Sequence, residues 1–182
     1  RQGRWEEAEE LFARVEARSM SLLGRGAIAL DRGDAAAAVD LLERFLRRTP
    51  GDNWSGRAAA LELLVRAHVA LGRAGAARAG LERLRELAAR VPTPTIRAAA
   101  ALGEGALAEA DGQVESARRL VEDAVDLLLS APAPLEAARA RVDLARLLAK
   151  AGRAGPAGQE ARAALDTFQR LGAAREALRA ER

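Results

Sequence analysis

The sequence predicts an all-α fold: a right-handed superhelix of antiparallel helix pairs, an α-solenoid with a period of about 40 residues. Three observations predict it. A glycine followed five residues later by an alanine recurs at Gly3/Ala8, Gly33/Ala38, Gly72/Ala77, Gly112/Ala117 and Gly152/Ala157, so the glycines step by 30, 39, 40 and 40 residues. Downstream of each alanine, Phe12, Leu42, Leu81, Val121 and Ala161 are followed three positions later by Val15, Phe45, Leu84, Ala124 and Ala164. That spacing puts them on one helical face. Apolar residues make up 49% of the chain but aromatics only 3%, so the core is built from Ala, Leu and Val, which suits close-packed helices and not a β-sandwich or barrel.

The residue types in the recurring slots follow from what a helical hairpin requires. A helix that stops and reverses needs a residue tolerant of positive φ, which glycine supplies without steric cost. Where the second helix crosses the first at close range, alanine fits and favours helix.

Taken in order, residues 1–17 read as a lone second helix with the apolar stripe Trp5, Ala8, Leu11, Phe12 and Val15. Glu6, Glu7, Glu9 and Glu10 sit early, where the helix dipole favours them. The missing first helix and the initial Arg lead us to expect an excerpt of a longer protein. The pair 19–48 carries Met20, Leu22, Leu23, Ala27 and Leu30 on its first helix, turns at Gly33 and ends at Thr49–Pro50–Gly51. The pair 55–90 turns at Gly72 and closes at Val91–Pro92–Thr93–Pro94. The pair 95–130 turns at Gly112 and closes at Ser130–Ala131–Pro132–Ala133–Pro134. The last pair, 135–171, turns at Gly152, holds Pro156 in a helical first turn where proline is tolerated, and stops at Gly172. Residues 173–182 read as the start of another helix or a linker. The 182 residues make one domain.

Composition narrows the chemistry. There is no cysteine, which removes disulfides, zinc–thiolate sites and thiol nucleophiles and is compatible with a cytoplasmic location. The net charge is only +3; the pI of 10.6 reflects arginine, Lys150 being the only lysine. Acidic residues are interleaved throughout and no basic block stands out, so direct nucleic-acid binding is not expected. No apolar run approaches the roughly 18 residues that span a bilayer.

No catalytic constellation emerges. His68, the only histidine, falls in a slot for an inward-facing bulky residue and reads as packing; alone, without cysteine, it makes a poor metal site. No serine sits in a Gly-x-Ser-x-Gly elbow. Gly72–Arg73–Ala74–Gly75 and Gly152–Arg153–Ala154–Gly155 lack a following Gly-Lys-Ser/Thr and lie between helices, so they read as repeat turns and not phosphate loops. Asp123 with Asp126, and Glu104 with Glu109, read as solvated helix faces. Trp54 reads as a staple at the start of its helix or part of a contact surface. We expect no cofactor and no metal.

The pattern is similar to tetratricopeptide repeats. Ala38 is followed twelve residues later by Pro50, Trp5 stands two residues after its glycine, and a bulky residue lies four beyond most alanines. The chain departs from the family's period of 34 residues, and the large aromatic positions of the family's first helix hold Leu22 and Ala29, Leu61 and His68, Ala101 and Ala108. The longer period, the Ala/Arg/Leu-rich units and the ending Leu165–Asp166–Thr167–Phe168–Gln169–Arg170–Leu171–Gly172–Ala173 resemble the repeat region of large ATP-binding LuxR-type, maltose-activator-like bacterial transcription regulators.

The resemblance implies a concave groove lined by first-helix residues. Alignment on the shared alanine gives Leu23, Ala27 and Leu30; then Glu62, Arg66 and Val69; then Leu102, Ala106 and Glu109; then Arg139, Val142, Arg146 and Lys150. The groove is expected to be apolar in front and cationic at the rear, suited to a protein or peptide, or to a small effector with an anionic end. The function expected is a non-catalytic sensor and interaction module of a signal-responsive regulator; the alternative is a free-standing scaffold for protein partners. Self-association through end helices is also expected, with Trp5, Leu11 and Phe12 as contacts.

Overall fold

The computed structural model describes residues 21–173. Among them lie α1 (21–31), α2 (Ala35–Arg48), α3 (Trp54–Ala70), α4 (Ala74–Arg90), α5 (Pro94–Ala110), α6 (Val114–Leu129), α7 (Pro134–Lys150) and α8 (Ala154–Arg170). The described residues contain no strand. The half-unit 1–17, with Trp5, Leu11 and Phe12, lies outside the described residues, as do Met20 and residues 174–182.

Each hairpin turns on its repeated glycine. Gly33, Gly72, Gly112 and Gly152 have φ of 81°, 67°, 78° and 74°. At Gly112 the amide donates to Glu109 O at 3.0 Å, and the next amide, Gln113, donates back to Ala108 O at 2.8 Å. This paired return satisfies carbonyls that the end of α5 would otherwise leave open. Gln113 then serves as N-cap of α6, which makes the reversal very short. A Cβ at Gly112 would meet nothing within 4 Å, so the backbone angle and not space requires glycine there.

Turns between pairs are built differently. Asn53 accepts from the Gly56 amide at 3.0 Å and Thr93 from the Ile96 amide at 3.3 Å, which caps α3 and α5. Pro94 and Pro134 open α5 and α7, where a missing N–H costs nothing.

The crossing alanines are buried: Ala38, Ala77 and Ala117 completely, Ala157 to 8% exposure. A second set of small residues makes the approach possible. A Cβ on Gly26 of α1 would stand 2.9 Å from Leu42 of α2, and one on Gly105 of α5 would stand 3.1 Å from Val121 of α6. In the α3–α4 hairpin the sizes are reversed: Val65 faces Gly80, whose added Cβ would be 3.1 Å away.

From α2 to α8 each helix packs on the next, and α3 also packs on α5; α5 and α7 make no comparable contact. The apolar clusters follow that order. One holds Leu42, Phe45, Leu61, Leu64, Leu84 and Ile96; another holds Val125, Leu128, Leu144, Leu147 and Leu148; a third sets Phe168 and Ala164 against Ala138. Apolar clusters that run on from one unit to the next are consistent with an α-solenoid.

A candidate binding groove on the first helices

One face of α3, α5 and α7 carries a half-open cavity of about 160 Å³. Its floor is apolar: Val69 and Ala70 from α3, Leu102, Gly105 and Ala106 from α5, Val121 from α6 and Leu147 from α7. Arg66, Glu109, Asp143 and Arg146 stand at its rim.

The cavity arises from a change of side-chain size between repeats. Gly103 of α5 is buried, and a Cβ there would lie 3.5–3.8 Å from Leu84, Leu81 and Val65. Each of those positions advanced by 40 residues becomes smaller: Val65 gives way to Gly105, Leu81 to Val121 and Leu84 to Ala124. The position equivalent to Gly103 becomes Asp143. A glycine lets α5 lie directly on α3 and α4. A carboxylate cannot enter an apolar seam without a partner, and the space released by the smaller side chains remains as the cavity.

Asp143 finds its partner two units away. Its carboxylate accepts from Arg66 through both oxygens, Nη1 to Oδ2 at 3.0 Å and Nη2 to Oδ1 at 3.3 Å. This is the two-point geometry in which arginine and carboxylate match best. Arg66 Nη1 also reaches Glu62 Oε1 at 3.5 Å. Asp143, foremost, drives the Arg66 pKa further up. Burial, with Asp143 adding to it, pushes the Glu62 carboxyl up against the pull of Arg66.

A second set joins α5 to α7. Glu109 accepts from both terminal nitrogens of Arg146, Nη2 at 2.6 Å, and from Lys150 Nζ at 2.6 Å. Its bonds to Arg146, foremost, and then to Lys150 hold its carboxyl down at about 2. Glu109 is therefore ionised at neutral pH. The lining offers apolar contact plus charge, with both carboxylates, Glu109 and Asp143, held by arginine.

Of the residues aligned from the sequence, Glu62, Arg66, Val69, Leu102, Ala106, Glu109, Arg146 and Lys150 come together at the cavity or in the ion-pair sets around it. Leu23 and Leu30 of α1 instead pack against the first apolar cluster, and Ala27 is half-buried on the same helix. Val142 turns to the far side of α7, against the Ala138–Ala164–Phe168 cluster. The residue on the groove side is its neighbour Asp143, and the stripe on α7 runs 139, 143, 146, 150. Arg139 is exposed, and its charge acts on Glu62. Of the cationic rear expected from sequence, Arg146 and Lys150 are paired with Glu109, and Asp143 of the same stripe is paired with Arg66.

No protein-family model and no curated protein matches this chain. Among the described residues, no cluster of His, Cys, Asp and Glu could hold a metal ion, and no helix is long and apolar enough to cross a membrane. His68 is buried in α3 with Nδ1 unpartnered, and burial, with Arg73 adding to it, lowers its pKa. Trp54 packs on the first cluster, with the Arg90 guanidinium 4.9 Å above its ring. Beside it, Arg57 donates to Leu46 O at 3.2 Å and Thr49 O at 3.3 Å, so that it closes the end of α2.

Proposed function

We propose that this chain is a non-catalytic binding module: a tetratricopeptide-like right-handed superhelix, with a period of about 40 residues, that takes a protein segment, a peptide or a small effector in the α3–α5–α7 groove. The observation that carries the reading is the cavity itself, an apolar floor under charged groups whose carboxylates, Glu109 and Asp143, are each held by arginine. Neither nucleic acid nor membrane is a direct partner of this region, and no cofactor is needed.

The wider setting is a cytoplasmic, signal-responsive transcription regulator of bacterial LuxR type. What supports it is the resemblance of the Ala/Arg/Leu-rich units and of the segment 165–173. The reading frame around the chain tests it. A nucleotide-binding motif upstream and a helix-turn-helix downstream are expected, whereas a frame of repeats alone supports a free-standing scaffold. The groove has its own test. Thermal-shift screening of effectors and peptides should give ligands whose effect disappears in Ala106→Phe, which fills the floor; ligands that stabilise this variant as well as the wild type bind elsewhere.

A further inference from the structure

We propose that the ion pairs between α3, α5 and α7 are a latch: they hold the stack closed on the groove side, while the apolar α6–α7 seam acts as the hinge. The inference concerns shape, rests on the ion pairs alone and goes beyond what the groove binds.

The two sides of α7 are secured by different forces. On one side it packs on α6 through Val125, Leu128, Leu144, Leu147 and Leu148. On the groove side it makes no extensive helix-to-helix contact with α3 or α5. What joins it to them there is Asp143 to Arg66, residues 77 apart in sequence, and Arg146 with Lys150 to Glu109. The charged groups facing this region are Glu62 and Arg66 on α3, Glu109 on α5, and Arg139, Asp143, Arg146 and Lys150 on α7.

Added salt does not weaken apolar packing, whereas it screens ion pairs at a half-open rim. The Arg66 and Asp143 side chains are 32% and 17% exposed, so water and ions reach the pair. At 1 M salt the Debye length falls to about 3 Å. Loss of the pairs leaves α7 and α8 free to swing about the α6–α7 seam, a hinge motion between packed elements. The swing widens the cavity and uncovers Val69, Leu102 and Ala106.

The test measures the α3–α7 distance. The sequence has no cysteine, so exposed Ser55 on α3 and Glu136 on α7 can be changed to Cys in the full chain and spin-labelled without interference. In low salt a single narrow distance is expected from pulsed dipolar spectroscopy. The near-isosteric double variant Asp143→Asn/Glu109→Gln should lengthen and broaden it, and 1 M NaCl should do the same to the otherwise unaltered chain, both with unchanged helical circular dichroism. An unchanged distance under both treatments overturns the latch. So does a longer distance that appears only in the variant and only with loss of helical signal, because that is unfolding and not opening.

Discussion

At the seam between α3 and α5, Gly103 lies against Val65, Leu81 and Leu84, and the helices meet directly. Forty residues further on, Asp143 takes the glycine's place, the three facing side chains shrink to Gly105, Val121 and Ala124, and α5 and α7 are joined by ion pairs around a cavity. The hairpins on either side use the same hinge and the same buried alanine. The difference teaches that the repeat fixes how a pair folds back on itself but leaves open how one pair meets the next. Because the helices pack mainly on their neighbours along the chain, one seam can be given a polar closure, here with Arg66 reaching across from two units away, while the other keeps its apolar packing.

The largest effect should come from moving the polar device into the apolar seam. Gly103→Asp places a carboxylate among Val65, Leu81 and Leu84 and should cost about 3–5 kcal/mol, read from urea midpoints. A loss below about 1 kcal/mol would mean that the first seam is looser than described. Ala77→Leu and Ala117→Leu overpack the hairpin crossings on either side of the seam and should each cost about 1–3 kcal/mol. Both alanines are completely buried, so neither crossing has room for the larger side chain. Gly112→Ala forces a side chain into positive φ, and about 1–2 kcal/mol is expected.

The smallest effect is the pH dependence that Glu109 brings to the second seam. Glu109 is held at about 2, below its ordinary value of 4.5. Its contribution is therefore complete above 4.5 and is lost as pH falls towards 2. The stability difference between wild type and Glu109→Gln should stay constant down to about pH 4.5 and shrink below it, as followed by urea titrations. A difference that grew on acidification would reverse the sign assigned to this carboxylate.

The hairpins were legible in the sequence because their requirements are local: a glycine at positive φ and an alanine five residues later recur at fixed spacing. Gly26, Gly80 and Gly105 were not picked out, since each answers a bulky partner on the other helix, Leu42, Val65 or Val121, and such size matching appears only when the two helices are laid together. The groove was legible in part. Alignment selected Val142 where the structure uses Asp143, and one residue is about 100° of helix rotation, enough to exchange groove for core. Taken singly, Arg139, Arg146 and Lys150 make a cationic end. The pairing of Arg146 and Lys150 with Glu109 depends on α7 approaching α5, and that of Asp143 with Arg66 on α7 reaching α3, which no local spacing encodes. The chemistry of Asp143 was nevertheless visible in outline, since a charged residue stands where the preceding repeat has a buried glycine.

A double-mutant cycle tests the ionic closure most directly. Arg66→Met and Asp143→Asn, singly and together, measure how far each residue's contribution depends on the other. The two-point bond across the stack predicts a coupling of about 1–2 kcal/mol at low salt, against less than about 0.5 kcal/mol for the exposed Arg78–Asp111 pair. A coupling for Arg66 and Asp143 indistinguishable from zero, with both single variants folded, would contradict the account.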